Sequence, residues 1–244
     1  MTEKPVSEAL KYRRSIRKFD TSKHIDPEAI KKFIQLATLA PNSSNLQLWE
    51  FYHIVSPGMK EKMIPICLNQ NAAKTADQFV VVVTRKDLWK KRAKANLEFI
   101  KQQYHVVDEG KVEDKRIKLA LDYYQKIIPF VYGEFLGIWG WIKYVMVRIA
   151  GIFKPVYREV RAGDIRVVAH KSVALAAQSF MLEMAANGYD TCPMEGIDSR
   201  RIKRLLGLPH GAEINMVIAC GIRTPEGIYG ERFRIPFEEV YFRK

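Results

Sequence analysis

The 244-residue chain predicts a domain that mixes α-helices and β-strands, on three observations. The run Phe79-Val80-Val81-Val82-Val83-Thr84 is almost continuously apolar and β-branched, the pattern of a strand buried on both faces. The segment His170 to Asn187 is apolar on nearly every side at helical spacing, as expected of a helix enclosed all round. No Ser/Gly/Pro-rich linker or shift in composition divides the chain, and 48% hydrophobic with 27% charged residues is enough for one sizeable core. The expectation is one domain over residues 1–244.

Each element has its own warrant. Ser7 to Tyr12 reads as a short helix that delivers Arg13-Arg14-Ser15-Ile16-Arg17-Lys18-Phe19. Burying so many cations without an anion is costly, and guanidinium forks match phosphate oxygens. The stretch is therefore either a solvated basic edge or an anion site. Asp26-Pro27-Glu28 starts a second helix, with an Asp cap and Pro at the first helical position. Ile30, Phe33, Ile34 and Ala37 carry it to about Leu39, and Pro41 ends it. Next, Pro41-Asn42-Ser43-Ser44-Asn45-Leu46-Gln47-Leu48-Trp49 is a loop dense in amides and hydroxyls. It is an exposed turn or a polar cradle for a heteroaromatic ring. Phe51 to Val55 reads as a strand, and Gln70, Asn71 and Lys74 precede the Phe79 strand on a helix or turn, facing solvent or a site.

The middle of the chain is less regular. Lys86 to Gln103 reads as a helix whose Lys90, Lys91, Arg92 and Lys94 form a solvated face or meet an anionic polymer. Ile127 to Phe153 holds seven aromatic side chains, among them Trp139, Trp141 and Phe153, with few charges. A membrane span needs about 20 apolar residues, and Glu134, Lys143, Arg148 and several glycines interrupt this one. The expectation is an aromatic-rich insertion at about 99–154 that packs over the core, over a ligand site or against a second subunit. Interfacial membrane contact is the alternative.

After Gly188, Thr191-Cys192-Pro193-Met194-Glu195-Gly196 reads as a tight segment, Asp198 caps a helix to Leu206, and Ile214 to Ile222 reads as a strand. Arg232 and Arg234 stand at i, i+2, on one side of an extended chain. The apolar residues of Phe237 to Lys244 need a surface to pack on.

The net charge of +13 suits a nucleic acid, an anionic membrane surface or a phosphorylated small molecule. A nucleic-acid module leaves the polar loop and the Pro193–Gly196 segment without a purpose, and no recognition motif is present. The chain has no G-x-S-x-G, H-E-x-x-H or C-x-x-C, and no G-x-G-x-x-G after a strand. Its five histidines are scattered. Cys67, Cys192 and Cys220 have neither metal-ligand spacing nor an even-numbered framework, and Met1 to Ala9 lacks a signal peptide's apolar run. A cytoplasmic setting is expected. Cys192 is either a small buried hydrophobe or a redox-sensitive thiol.

Four motifs in order, RRSIRKF, APNSSNLQLWEF, the alanine-rich helix leading to PMEG, and ERFRIP, resemble the nitroreductase family of flavin enzymes. The resemblance covers roughly Glu8 to Thr84 and His170 to Tyr241. It implies an α+β fold with a central, mostly antiparallel sheet flanked by helices, and an intertwined homodimer with FMN in each of two interface sites. By this likeness Arg13, Arg14 and Ser15 hold the phosphate and ribityl end, with Arg232 and Arg234 converging on the phosphate. Arg17 approaches the pyrimidine edge of the ring, as does Gln70 or Asn71. Asn42, Ser43, Ser44, Asn45 and Gln47 line the flavin from the partner subunit. Pro193, Met194, Glu195 and Gly196 lie against the ring, where a backbone N–H reaches N5. Leu48 departs from the family's usual proline, and the Phe99–Lys154 insertion has no matching motif. The implied reaction is ping-pong hydride transfer from NADH or NADPH, through FMN, to a nitroaromatic, quinone or similar acceptor, with a same-fold flavin protein of another reaction (dehalogenation, flavin destruction or sensing) as the alternative. It needs no catalytic side chain, metal, nucleic acid or stable membrane insertion.

Overall fold

The computed structural model describes residues 3–135 and 137–244. Along the chain run α1 (Val6–Tyr12), α2 (Pro27–Ala37), β1 (Trp49–Ile54), α3 (Pro57–Ile66), α4 (Asn71–Thr75), β2 (Gln78–Thr84) and α5 (Trp89–Gln103). They are followed by α6 (Lys115–Asp122), α7 (Ile128–Tyr132), α8 (Ile138–Phe153), α9 (Ala162–Ala186), β3 (Asp190–Met194), α10 (Ser199–Leu205) and β4 (Glu213–Gly221). The strands form one sheet in the order β1-β2-β4-β3, every neighbouring pair antiparallel. This is an α+β architecture, as the resemblance implies.

The continuous apolar run belongs to β2 because both faces of the sheet are covered. Phe79, Val81 and Val83 point into a layer with Met63, Ala73 and Ile202, while Val80 and Val82 meet Phe33, Val173 and Phe180 from α2 and α9. All five are fully buried, and each such side chain contributes about 1.5–3 kcal/mol. A bulge between Val82 and Val83 shifts the register against β4. The start of α2 is as expected, with the Asp26 carboxylate accepting from Glu28 N at 3.0 Å and Pro27 at the first position.

Three features differ from the sequence reading. α9 begins at Ala162, eight residues before His170, and is not enclosed all round: Val167 and Leu175 are about half exposed. The segment around Pro193 is not a turn but the edge strand β3. An edge strand tolerates a proline because its outward N–H has no ladder partner to lose. The insertion divides in two. Ile128 and Tyr132 of α7 pack beneath, against Leu46, Leu48, Ala93 and Ile165, whereas α8 turns its apolar side chains outward. Leu48, where the resemblance leads one to expect proline, is a core residue of that α7 cluster. Among the described residues no helix is long and apolar enough to cross a membrane.

Candidate active site

The basic stretch is positioned by the edge strand. Residues after α1 run alongside β3: Ser15 bridges Thr191 in parallel, and Ile16 N donates to Thr191 O at 3.1 Å. Ile16 is fully buried on one side, so Ser15 and Arg17 face the other. The C-terminal segment then crosses over this stretch. Arg17 N donates to Gly227 O at 2.8 Å, an approach so close that a Cβ on Gly227 would lie 2.4 Å from the Lys18 carbonyl. Arg14 Nη2 donates to Gly230 O at 2.9 Å. The Arg232 guanidinium donates to the carbonyls of Leu10, Lys11 and Arg13.

The result is a cleft of about 340 Å³ lined by Arg13, Arg14, Ser15, Arg17, Tyr229, Arg232 and Arg234, with Glu231 as its one acid. The electrostatics are unbalanced. Arg13 Nε is buried without a hydrogen-bond partner. Burial, and then the charges of Arg232 and Arg234, push the Arg13 guanidinium below its ordinary pKa. Such crowding fits an anion, and the fork geometry of guanidinium suits phosphate.

Gln70 and Asn71, at the start of α4, do not line the cleft, and Asn71 reaches it through Tyr229. Gln70 Nε2 donates to Gly196 O at 2.8 Å, and Asn71 Nδ2 donates to the Tyr229 hydroxyl at 2.9 Å. Glu195 and Gly196 are exposed after β3, Pro193 is half-buried, and the Met194 side chain lies in the core. Tyr229 was not foreseen. Its only signal in the sequence is its place between Gly227 and Gly230.

The polar loop does not reach this cleft within one chain. Ser43 and Ser44 line a separate apolar pocket of about 270 Å³ with Tyr123, Ile128, Tyr132, Tyr157 and Val168. Ser44 Oγ lies 2.7 Å from the Tyr123 hydroxyl, Ser43 N donates to Ser172 Oγ at 3.1 Å, and Asn45 Nδ2 donates to Asn96 Oδ1 at 2.9 Å. Asn42 Oδ1 accepts from Gln47 N at 2.8 Å. Ser44, Asn45 and Gln47 all have left-handed φ, between 47 and 56°, a conformation costly for residues with a Cβ. Burial pushes the Tyr132 phenol up to about 12. Tyr123, Tyr132 and Asn96 were legible only as members of an aromatic or basic region.

A cleft of converging arginines beside an antiparallel edge strand defines a class, an α+β protein with a cationic site. Comparison with known proteins narrows it: the nitroreductase family model matches residues 10–222, and the chain belongs to the nitroreductase family of oxidoreductases. DrgA of Synechocystis is 26% identical over 219 residues, covering 90% of this chain and 84% of DrgA. YdgI of Bacillus subtilis, whose name assigns it as an NAD(P)H nitroreductase, is 26% identical over 240 residues, covering 96% and 94%. A chain from Exiguobacterium sibiricum, solved in complex with FMN, shares the fold at a TM-score of 0.67 and 22% identity, covering 100% of this chain and 99% of that one.

Proposed function

We propose that this chain is an FMN-dependent oxidoreductase that takes a hydride from NADH or NADPH and passes it to a nitroaromatic, quinone or related conjugated acceptor in two successive half-reactions. The carrying observation is the arginine cleft, where Arg13, Arg232 and Arg234 crowd with a buried guanidinium nitrogen left unpaired. A phosphate monoester supplies the missing charge. The names of relatives such as YdgI support the nicotinamide, and the solved Exiguobacterium chain supports FMN. When bound, FMN supplies the centre that accepts and returns the hydride.

The chain's own residues bind and orient. Arg13, Arg232 and Arg234 hold the phosphate, Arg14 fixes the crossing segment through Gly230, and Ser15 adds a hydroxyl. Arg17 presents a cation where negative charge develops on reduction. Gln70 donates to Gly196 O, which would steady the backbone after β3 beside the ring. In this reading residues 1–244 act as one domain with an insertion at about 99–154. Two copies intertwine, which brings the 42–47 loop of one to the cleft of the other. Support comes from the tail, where Phe233, Phe237 and Phe242 are exposed in the single chain. The apolar pocket beside Ser43 and Ser44 then receives the acceptor. The unpaired buried cysteines support a reducing, cytoplasmic setting.

The test is a visible absorption spectrum of the purified protein, before and after anaerobic NADH or NADPH. A yellow protein with one flavin per chain, bleached by either nicotinamide, is the expected result. A protein that stays colourless after added FMN overturns the proposal.

A further inference from the structure

Helix α8 is amphipathic in the inverted sense. Trp141, Ile142, Val145, Ile149, Ile152 and Phe153 are all exposed, Ile152 at 76% and Phe153 at 81%. At 100° per residue these six fall within an arc of roughly 120° on one side of the helix. The opposite side carries Lys143, which is 0% exposed. Its ammonium donates to the carbonyls of Val131 and Gly133, both at 2.9 Å, and pairs with Glu134. Water alone would favour the reverse arrangement, since burying an amine and exposing six large apolar side chains are both unfavourable. The inward ammonium pins the helix so that its apolar face must point away from the protein.

The rim of that face is cationic. Arg148, Lys154, Arg158 and Arg161 are exposed around it, against Glu159 and an Asp164 that lies 3.6 Å from Arg161, and α8 itself contains no acid. The Arg161 guanidinium lies over the Trp141 and Tyr144 rings at 5.8 and 5.1 Å, and Arg148 over Tyr144 at 5.0 Å. An apolar stripe with an aromatic ring at its edge and cations beside it matches the boundary between acyl chains and headgroups of a lipid layer. A second copy seated face to face would bring the same four cations against this rim, whereas anionic headgroups neutralise them.

We propose that α8 is a docking helix that lays the protein on an anionic phospholipid bilayer, with its apolar face in the interface and its arginines on the headgroups. This is peripheral attachment by about 24 Å of helix, not a span.

The test is flotation of the flavin-loaded protein with vesicles of phosphatidylglycerol and phosphatidylcholine in equal parts, against phosphatidylcholine alone. Wild type is expected to float with the anionic vesicles and to be released by salt. Arg148→Ala is expected to weaken partitioning about fivefold, and Ile149→Asp with Ile152→Asp to abolish it while melting temperature stays unchanged, because both positions are mostly exposed. In unsubstituted protein, a blue shift of tryptophan emission on vesicles that is diminished in Trp141→Phe gives an independent readout. No flotation of wild type, or flotation indifferent to these substitutions, overturns the proposal. So does a concentration-dependent association of copies without lipid that the double substitution removes, since it would make a second copy the occupant.

Discussion

Arg17 Nη1 points its donor at the sulfur of Cys192, 3.6 Å away, linking the basic stretch to the edge strand β3. Burial pushes the Cys192 thiol above its ordinary pKa, and the Arg17 cation opposes this without reversing it. Cys67 is pushed up to about 11 and Cys220 is raised as well, both by burial first. A thiol that ionises reluctantly and is sealed from solvent is a poor nucleophile.

Thiol titration of the native protein with an aromatic disulfide reagent should therefore show no fast-reacting cysteine. All three should react in denaturant, at least about a hundredfold faster than in the folded state. A native Cys192 that reacts promptly would instead mark it as a redox-sensitive group.

Arg13→Ala separates binding from folding. Removing a guanidinium that meets two other cations should leave the melting temperature of the flavin-free protein unchanged or slightly raised. FMN affinity should fall about 10–100-fold, the value of one or two charge-assisted hydrogen bonds. Riboflavin, which lacks the phosphate, should lose little. Fluorescence titration with the two flavins checks this, and an equal loss for both would place Arg13 elsewhere.

The strained loop supplies a third outcome. Gln47 has a φ of 48° and its side chain makes a single 3.3 Å bond, to Asn45. Gln47→Gly should stabilise the flavin-free protein by up to about 1 kcal/mol, since glycine adopts this conformation without a Cβ clash. Urea unfolding measures it.

Asp77 contributes to acid stability. Burial pushes its carboxyl up, but donation from His24 Nδ1, Ile25 N and Gln78 Nε2 outweighs burial and holds the pKa below the usual carboxylate value. A depressed folded pKa contributes stability that is fully present above the unfolded value of about 3.9 and is lost as pH falls through the folded one. Melting temperature should therefore drop on acidification below about pH 4. Asp77→Asn should cost about 2 kcal/mol at neutral pH and flatten that acid limb.

Much of this fold was legible before any coordinates. The strand at Phe79–Thr84 and the helix after Asp26 follow from local pattern, because periodicity and capping act between near neighbours. The four family motifs likewise placed the arginines of both chain ends in one site, and the cleft brings Arg13 and Arg232 together across 219 positions of sequence. β3 escaped notice because its five residues include a proline and an aspartate, and only the neighbouring β4 makes them a strand.

By itself, the sequence determined the locally patterned elements such as β2 and α2, the family and the charge that the cleft gathers, since all three are carried by residue type and order. Tertiary structure alone decided where the charges meet, that the 42–47 loop stays away from the cleft of its own chain, and which way α8 faces. The last depends on one buried ammonium. Hydropathy along Ile138–Phe153 marks Lys143 as an interruption, and only its partners Val131, Gly133 and Glu134 show it to be the inward anchor that turns the apolar side to the outside.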